Sequence, residues 1–362
     1  MKIHIDINHP AHVHYFKNFI KIMESKGHKF VVTNRDSKII NQLLDAYGIE
    51  HVIRNKRPTN RSKISRVWYV LVTTLFCWWI DLKNRTDVSL SFASSMATIA
   101  SWLMRKPSLL LDDTEHNKTN RNLYLKFCSV VINPFYYMLQ VSSKQLFMNA
   151  YIEQFYLHSS NFMSNRDVLC QYGLEKGKYI LVRYIGYDAW HDKETKPISL
   201  EDRKELVRRL AEKYKVCVSL ESGVGDLFFE PYLLKIRPEQ MHDIIDNCAF
   251  MIVEGATMAS EAAMLGVPYI YINPLQDVGY IKEQVKVYPD YFYMSTDIDE
   301  VNRIVDERLI SFIGNNPRKE DIRADIESKT INPTDFLVWF VENYPESERI
   351  MRDNPNYQYR FK

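Results

Sequence analysis

The chain has 362 residues, which is long for one hydrophobic core, because cores stop growing at roughly 250–300 residues and longer chains divide into domains. Its composition, 46% hydrophobic and 25% charged, is that of a globular protein and excludes the low-complexity, collagen-like and disordered classes. A formal net charge of only +2 argues against nucleic acid as a partner, so a small-molecule ligand is expected first.

The first half of the chain alternates β-rich runs with helical patterns. Lys2–Ile7 predicts a strand, apolar residues at helical spacing from Val13 to Met23 predict a helix, and Phe30–Thr33 predicts the next strand. Further strands are predicted at Glu50–Ile53, Val88–Phe92, Ser108–Leu111 and Val130–Ile132, and helices at Lys38–Tyr47 and Met96–Met104. This interleaving indicates a mainly parallel sheet that is covered on both faces.

The segment Val67–Ile80 is almost wholly apolar but is shorter than the ~20 residues that a membrane-spanning helix needs. A run of basic residues without an acidic one precedes it: Arg54, Lys56, Arg57, Arg61, Lys63 and Arg66. One interpretation is a buried helix that follows a solvated basic loop. The alternative is a peripheral contact with anionic lipid headgroups through residues 54–80.

The alternating pattern restarts after residue 178. The predicted strands are Tyr179–Arg183, Val216–Leu220, Leu233–Ile236, Phe250–Val253 and Tyr269–Ile272, and the predicted helices are Leu200–Tyr214, Pro238–Asn247, Thr257–Leu265 and Pro333–Tyr344. The sequence therefore predicts an α/β protein with two doubly wound domains, at residues 1–168 and 175–330. Residues 331–362 are predicted to close the structure as a helix and tail that pack across the domains.

Polar residues follow several of the predicted strands. In open parallel sheets ligands bind at the carboxyl ends of the strands, so these positions are the candidate binding residues. They are found at Asp6–His14, Ser91–Ser95, Asp112–His116, Arg183, Glu221–Gly223, Arg237 and Glu254–Thr257.

The clearest of these segments is Glu254–Pro268. An apolar strand ends at Gly255, and a helix then opens whose free N–H groups and dipole favour a phosphate. Glu261 lies one turn further on and could accept hydrogen bonds from ribose hydroxyls. The alternative is an ordinary strand-helix-strand unit with a small-residue packing turn. Neither the Gly-x-Gly-x-x-Gly nor the Walker pattern is present, so a dinucleotide fold or P-loop is not indicated.

Residues Arg237–Ile245 and Cys248–Pro268 resemble the nucleotide site of GT-B fold glycosyltransferases and of UDP-N-acetylglucosamine 2-epimerases. Across most of its length the chain is similar to the domain of unknown function 354, a resemblance carried also by Lys2–Ile7, His12–Phe16 and Tyr151–Leu157. The resemblance implies a GT-B-like fold, with two Rossmann-like domains and a cleft between them.

The resemblance also implies that the second domain holds a nucleotide-sugar, with UDP as the expected nucleotide. Base contacts are expected near Arg237 and Met241, and ribose contacts at Glu261. The diphosphate is expected at Gly255, Ala256, Thr257 and Met258. Arg183 could pair with phosphate because its planar fork suits such oxygens, or it could form a surface or interdomain ion pair.

The first domain would then carry the acceptor and catalytic groups. His12 and His14 are two apart at a helix start and cannot both face one way, so one could be a general base while either could cap or pack instead. Glu115 occupies a position that resembles the catalytic glutamate loop of the epimerases. Asp112 and Asp113 are expected to serve structure, for example by capping the next helix. A metal cluster formed by these carboxylates with His116 is a weaker alternative, because the GT-B resemblance implies no metal or other cofactor.

Three functions stay open. The first is a UDP-sugar-dependent glycosyltransferase of surface polysaccharide or glycoconjugate synthesis, with a glycan or lipid-linked acceptor. The second is an epimerase or nucleotide-sugar hydrolase. Ser91–Ser94 stands where the epimerases carry Gly-Asp-Thr, and this missing carboxylate counts against epimerisation. The third is a non-catalytic nucleotide-sugar-binding protein, which would need no ionisable group at positions 12 and 115.

Cysteine usage and the N-terminus predict the compartment. The five cysteines are scattered and never spaced as Cys-x-x-Cys, which suggests neither a disulfide framework nor a zinc site. The chain starts directly with a strand and lacks the features of a signal peptide. A cytoplasmic protein is therefore expected, with a peripheral position at the inner face of the membrane as the alternative.

Overall fold

The computed structural model of the chain describes residues 1–56, 62–115, 117–186, 198–221, 226–314 and 316–362, and only the backbone of Lys63. Close contacts divide the chain into two compact units. Unit 1 contains Met1–Tyr156 and Thr330–Lys362, and unit 2 contains Leu157–Lys329. This division differs from the sequence-based boundaries, which assigned 157–168 to the first domain and set 331–362 apart.

Unit 1 is built on a parallel sheet with the strand order β3-β2-β1-β4-β5-β6-β7. The strands are β1 (Lys2–Ile7), β2 (Lys29–Arg35), β3 (His51–Arg54), β4 (Val88–Phe92), β5 (Ser108–Leu111), β6 (Val130–Pro134) and β7 (Gln145–Met148). Strand β1 pairs with β2 on one side and with β4 on the other, so the strand order reverses between β1 and β4. The carboxyl ends of these two strands are therefore where a ligand is expected in unit 1.

Helices connect these strands. They are α1 (Pro10–Ser25), α2 (Lys38–Ala46), α3 (Lys63–Asn84), α4 (Ser95–Leu103), α5 (Lys118–Phe127) and α6 (Gln154–Leu157). Helix α1 begins where Pro10 fixes the first helical φ and the His9 side chain accepts the Ala11 N–H. Every residue of β4 and β5 is buried, as expected for parallel strands that are covered on both faces.

Helix α3 contains the apolar segment that the sequence singled out. Many of its large apolar side chains are exposed, including Ile64, Trp68 and Leu75. The interpretation as a buried helix is therefore wrong for this face. In the part of the chain that the structure describes, we find no helix whose length and apolar character suffice to cross a membrane.

Unit 2 has a five-stranded parallel sheet with the order β12-β11-β10-β8-β9. Its strands are β8 (Tyr179–Tyr184), β9 (Lys215–Leu220), β10 (Phe250–Val253), β11 (Tyr269–Ile272) and β12 (Phe292–Ser295). Its helices are α7 (Asp167–Gln171), α8 (Leu200–Ala211), α9 (Met241–Asn247), α10 (Ala256–Met264), α11 (Gly279–Val287), α12 (Ile298–Arg308) and α13 (Lys319–Lys329). Here β8 pairs with β9 on one side and β10 on the other, so the strand order reverses between β8 and β10. A ligand is therefore expected at the carboxyl ends of β8 and β10 in unit 2. We name this position in each unit its ligand edge.

The last segment of the chain completes unit 1 with α14 (Pro333–Glu342) and α15 (Glu346–Asp353), followed by a 3-10 turn at Pro355–Phe361. The predicted helix at Pro333–Tyr344 is confirmed, and it packs against α1. Lys26 and His28, which follow α1, both contact the Glu342 carboxylate. The segment is thus part of the fold of unit 1.

One predicted strand is wrong. Leu233–Ile236 does not form a strand, and only Leu233 makes an isolated bridge, to Val218. A 3-10 helix at Leu227–Tyr232 ends directly before this segment and another begins at Pro238, which leaves too short an extended stretch for a ladder. The predicted helix at Pro238–Asn247 is a 3-10 turn over Pro238–Gln240 that continues as α9.

Candidate functional site

The carboxyl end of β1 carries a buried hydrogen-bond network centred on Asp6. Its carboxylate accepts hydrogen bonds from Arg54 Nε at 3.0 Å, Ser94 Oγ at 2.6 Å, Asn8 Nδ2 at 2.9 Å and Thr33 Oγ1 at 2.9 Å. Burial alone would raise the pKa of Asp6, but Arg54 and Ser94 outweigh it and lower the pKa to about 2. Asp6 is therefore a fixed anion that ties the ends of β1, β3 and β4 together. Arg54 is consequently not available to the predicted lipid contact.

His12 lies in the first turn of α1, beside the reversal between β1 and β4, and is buried. Its Nδ1 accepts the Asn8 N–H at 3.4 Å, and its ring packs 4.9 Å from the ring of Phe92 and 5.7 Å from that of Tyr15. Burial, followed by the charge of His9, holds the pKa of His12 well below its usual value. The imidazole is therefore neutral at pH 7, and its Nε2 carries the hydrogen.

His14 points to a different neighbourhood. Its Nδ1 lies 3.3 Å from the Tyr47 hydroxyl, and its ring packs 5.2 Å from the ring of Tyr156. The two histidines thus have separate partners, as their spacing predicted. His14 is buried against aromatic rings, and the contacts found for it are those of a packed side chain.

Two neighbouring carboxylates follow β5 and differ in their surroundings. Asp112 is fully buried and accepts hydrogen bonds from the Thr114 N–H at 3.0 Å and from the Tyr124 hydroxyl. Helix α5 is capped by Asn117, so the expectation that these aspartates cap the next helix is wrong. Burial raises the pKa of Asp112 to about 6.

Asp113 is only partly buried, and Thr114 Oγ1 donates to its Oδ1 at 3.1 Å. Burial first, and then the adjacent Asp112 carboxylate, raise the pKa of Asp113 to about 7. A carboxyl group in this state can accept or donate a proton near neutral pH. The raised pKa, at the carboxyl end of β5, makes Asp113 a candidate general acid or base, which its sequence position alone did not reveal.

Glu115 makes hydrogen bonds with two residues of unit 1. Its Oε1 accepts the Met138 N–H at 2.5 Å, and its carbonyl oxygen accepts from Arg121 Nη1 at 2.7 Å. His116, which completed the alternative metal cluster, lies outside the described residues. Among the residues that are described, no three His, Cys, Asp or Glu side chains are grouped as metal ligands.

In unit 2, Arg183 lies at the end of β8 beside the reversal of the sheet. Its Nη1 donates to Ser219 Oγ at 2.8 Å, and its buried Nε has no hydrogen-bond partner among the described residues. Burial lowers the pKa of Arg183, while the carboxylates of Glu221 and Glu261 act in the opposite direction. Arg183 is partly exposed at the ligand edge, so the accessible part of its guanidinium is suited to bind an anion.

The strand β10 ends at the opening of α10. The N-cap residue Gly255 supplies no side-chain hydrogen bond, and the first helical bond runs from the Ala259 N–H to the Gly255 carbonyl at 3.1 Å. Ala256, Thr257 and Met258, which form the first turn, are partly exposed. The open N-terminus thus points its N–H groups and positive dipole end at the ligand edge, which favours a phosphate.

Glu261 lies one turn into α10 and is buried. Its Oε1 lies 3.1 Å from Nε2 of His242, a residue of α9. His242 is the partner that orients this carboxylate, and the pairing could not be predicted from the sequence because the two residues lie on separate helices. Arg183 and Glu261 are close enough to interact electrostatically, so the structure brings these two predicted residues together.

The turn before α10 is rigidly fixed. Glu254 is buried and receives two hydrogen bonds from Arg203 of α8, at 2.8 and 2.9 Å, and one from the Ile185 N–H at 2.9 Å. Its own carbonyl accepts from Asn273 Nδ2 at 2.8 Å. The residue that precedes Gly255 is therefore a structural anchor and is not directed at a ligand.

Arg237 and Met241, the predicted base contacts, lie at the start of the 3-10 turn and of α9. Arg237 is exposed, its Nε donates to Gln240 Oε1 at 3.2 Å, and its N–H donates to the Tyr172 hydroxyl at 3.2 Å. Met241 is partly buried. Both belong to the segment that leads into the helix of His242.

Two Rossmann-like units with parallel sheets, each with a ligand edge at its strand-order reversal, define the GT-B class of two-domain folds. The family model described as "Protein of unknown function (DUF354)" matches residues 1–338, and the chain belongs to this family. A relative is the uncharacterized protein MJ0665 of Methanocaldococcus jannaschii, which is 20% identical over 95% of this chain and 98% of its own length.

Solved structures share the fold. A UDP-GlcNAc 2-epimerase from Neisseria meningitidis bound to UDP-GlcNAc has a TM-score of 0.70 at 14% identity and covers 95% of this chain and 100% of its own. The glycosyltransferase VinC in complex with dTDP has a TM-score of 0.60 at 12% identity, over 96% of this chain and 100% of its own. At these identities the likeness establishes the fold, which glycosyltransferases and epimerases have in common.

Proposed function

We propose that the chain is a UDP-sugar-dependent glycosyltransferase. The observation that carries the proposal is the ligand edge of unit 2, where Arg183, the open N-terminus of α10 and the buried Glu261 converge. This combination offers a cation and free N–H groups for a diphosphate and a carboxylate for ribose hydroxyls. Donors of this chemical class are bound by proteins of the same fold, such as the UDP-GlcNAc 2-epimerase of N. meningitidis.

In this proposal the diphosphate lies against Gly255, Ala256, Thr257 and Met258, and Glu261 binds the ribose. Arg237 and Met241 contact the base from the 3-10 turn and the start of α9. His242 holds the Glu261 carboxylate in position at 3.1 Å. The proposed binding uses no metal or other cofactor.

Transfer requires that an acceptor hydroxyl loses its proton while the sugar leaves the diphosphate. The hydroxyl oxygen forms a bond to the anomeric carbon, the bond from that carbon to the diphosphate oxygen breaks, and UDP departs with the electron pair. The helix dipole and Arg183 stabilise the charge where it develops, which is where electrostatic assistance lowers a barrier. The acceptor is proposed to be a glycan or a lipid-linked sugar.

Unit 1 supplies the candidates for the proton acceptor. His12, His14 and Glu115 are the residues proposed from the sequence. Nδ1 of His12 already accepts a hydrogen bond, and Glu115 is bound to a backbone N–H, which leaves both less suited to take a proton. We therefore add Asp113, because a partly buried carboxylate with a pKa of about 7 is a better base near neutral pH.

An epimerase or nucleotide-sugar hydrolase is the second candidate. It is favoured by the same Asp113, since a carboxyl group that titrates near pH 7 could move a proton at a sugar carbon or activate water. Against epimerisation, the turn after β4 carries Ser94, whose hydroxyl is occupied by Asp6 and which caps α4, where the epimerases have a carboxylate.

Titration calorimetry with UDP and UDP-N-acetylglucosamine tests the donor site. We expect binding by the wild-type chain and a loss of at least about tenfold in Glu261→Ala, because a carboxylate that bonds ribose hydroxyls contributes roughly 1.5–3 kcal/mol. Glu307→Ala, which removes an exposed glutamate of unit 2, is the matched control and should bind as the wild type does. Absence of binding, or unchanged binding by Glu261→Ala, would refute the proposal.

Incubation with UDP-N-acetylglucosamine alone separates the enzyme classes. A glycosyltransferase should leave the sugar unchanged until an acceptor is added. A sugar altered or released without acceptor would instead support the epimerase or hydrolase. Binding without turnover by any route would leave a nucleotide-sugar-binding protein.

A further inference from the structure

Helix α3 of unit 1 exposes large apolar side chains along one of its faces. Eight large apolar side chains are exposed and together form what we name the outer stripe: Ile64, Val67, Trp68, Leu71, Leu75, Trp78, Trp79 and Leu82. At 100° per residue these positions fall within about 120° of the helix circumference, along ~27 Å of its axis. The stripe is therefore one continuous surface.

The inward face of α3 buries polar groups beside apolar ones such as Cys77 and Ile80. Thr73 and Asp81 are buried, with Thr73 Oγ1 donating to Asn55 Oδ1 at 3.0 Å and Asp81 Oδ1 accepting from Thr86 Oγ1 at 2.6 Å. Ile64 is 84% exposed and Trp68 is 65% exposed. A water-facing helix normally shows the opposite pattern, and contiguous apolar patches of this kind mark interaction sites.

Basic side chains lie at one end of the outer stripe. Helices α3, α4 and α5 all end at the amino edge of the parallel sheet of unit 1, because each leads into the next strand. The basic residues at these ends and before β7 form what we name the basic edge: Lys83, Arg85, Arg105, Lys106, Lys126 and Lys144. The carboxylate of Asp87, at the start of β4, is engaged by the Lys2 N–H.

Four residues of the basic edge, Arg105, Lys106, Lys126 and Lys144, line a depression of about 470 Å³ together with Trp102, and its lining contains no carboxylate. Trp102 is 52% exposed, and its ring packs 5.0 Å from that of Phe127. Lys83 lies over the ring of Trp79 at 5.0 Å. Aromatic rings next to lysine and arginine are typical of the level of a bilayer where acyl chains meet headgroups.

We propose that the outer stripe and the basic edge together dock unit 1 on a bilayer that contains anionic lipid, with α3 lying in the plane of the surface. The stripe enters the boundary between headgroups and acyl chains, and the basic edge contacts lipid phosphates. A protein partner or a second copy of the chain would cover the apolar stripe equally well. The clustered positive charge beside the stripe is what favours an anionic lipid surface. This inference goes beyond the proposed reaction and does not depend on it.

Co-sedimentation with phosphatidylcholine vesicles, with and without phosphatidylglycerol, is the test. We expect the full chain to bind the anionic vesicles, to bind pure phosphatidylcholine much less, and to lose binding as salt is added. The tryptophan emission should shift to the blue on binding, because Trp68, Trp78 and Trp79 move from water into the bilayer. No binding to anionic vesicles overturns the proposal.

Two pairs of variants test the two surfaces. Trp68→Gln with Leu75→Gln should weaken vesicle binding by at least about tenfold, since two apolar side chains no longer enter the bilayer. Lys83→Glu with Lys126→Glu should abolish the preference for phosphatidylglycerol. All four residues are exposed, so we expect unchanged far-ultraviolet circular dichroism and Tm.

Matched controls come from unit 2. Leu227→Gln with Ile310→Gln removes exposed apolar side chains, and Lys213→Glu with Lys286→Glu reverses exposed charges. These variants should bind vesicles as the wild type does, and an equal loss in them would contradict the assignment of the surface. Light scattering after size exclusion tests whether a second copy of the chain covers the outer stripe instead. The lipid proposal is overturned if the wild type is a dimer that does not bind vesicles and if Trp68→Gln with Leu75→Gln makes it a monomer. That result would assign the stripe to a second copy.

Discussion

At the scale of single residues, the two aspartates after β5 show how position decides chemistry. Asp112 has both carboxylate oxygens engaged by neighbours, whereas Asp113 has a hydroxyl partner and an adjacent negative charge. The sequence offers the same side chain twice in a row. The folded environment engages Asp112 with two hydrogen-bond donors and leaves Asp113 with the higher pKa of the two.

The free energy of unfolding should depend on pH through the protonation of Asp113. Its pKa of about 7 in the folded chain lies above the unfolded value of about 3.8, so folding favours the protonated form. Asp113 therefore costs stability progressively as the pH rises from about 4 to about 7, and the cost is complete above that range. Asp113→Asn should raise the free energy of unfolding by about 1–3 kcal/mol at pH 8, with a gain that vanishes towards pH 4. Urea denaturation at several pH values measures this.

Asp112→Asn is the informative comparison, because the pKa of Asp112 is also raised, to about 6, but the amide cannot accept from both the Thr114 N–H and the Tyr124 hydroxyl. We expect a smaller gain at pH 8 than for Asp113→Asn, because the lost hydrogen bond offsets part of it. If Asp113 is also the catalytic base, Asp113→Asn should reduce kcat by roughly 10²–10⁴ while it stabilises the fold. A destabilised Asp113→Asn at pH 8 would contradict the assigned environment.

At the scale of elements, the two glycines around α10 differ in whether the fold requires them. Alanine substitutions there can distinguish an effect on ligand binding from an effect on stability. Gly255 has an ordinary φ of −91°, and an added Cβ would meet its nearest neighbour, Ile185, at a normal 3.6 Å. Gly266 has φ +67°, and its Cβ would lie 2.2 Å from the Lys319 carbonyl oxygen. The fold therefore requires glycine at position 266 but tolerates alanine at 255.

We expect Gly255→Ala to change the free energy of unfolding by less than about 0.5 kcal/mol, yet to weaken UDP binding roughly tenfold because its methyl group occupies the approach to the diphosphate. Gly266→Ala should cost about 3 kcal/mol or more through left-handed strain and the backbone clash. Thermal unfolding and calorimetry on both variants give the answer. Unchanged UDP affinity in a well-folded Gly255→Ala would move the diphosphate away from this turn.

How well the sequence predicts an element depends on how it is buried. The strands β1, β4, β5, β10 and β11 have the predicted bounds, because a buried parallel strand is a short apolar run between turn residues. The strands β7 and β12 were not predicted. Both lie at sheet edges, as do β3 and β9, which were predicted, so an edge position alone does not decide whether a strand can be predicted.

The helices α5, α12 and α13 were also not predicted. They are polar and bury only two or three side chains each, so few apolar residues mark them in the sequence. At the site, the glycine turn and Glu261 could be placed from local pattern. The partners Arg54 of Asp6 and His242 of Glu261 could not, because each pair joins separate elements through the fold.

At the scale of the whole molecule, the chain order sets which parts can fold alone. Unit 2 is one continuous stretch, whereas unit 1 needs the last segment of the chain. Helix α14 buries Phe336, Leu337 and Phe340 completely, and Asn332 N–H donates to the Phe361 carbonyl at 2.7 Å. Three such side chains contribute roughly 5–9 kcal/mol, which is comparable to the entire stability of a domain.

A fragment of residues 157–329 should therefore unfold cooperatively and bind UDP as the full chain does, since the proposed donor site uses only residues of unit 2. A fragment of residues 1–156 should lack a cooperative transition, because the apolar surface of α1 loses its cover from α14. Adding back residues 330–362 as a synthetic peptide should restore the transition. Scanning calorimetry distinguishes these cases, and a fragment 1–156 that melts cooperatively by itself would show that the last segment is dispensable for unit 1.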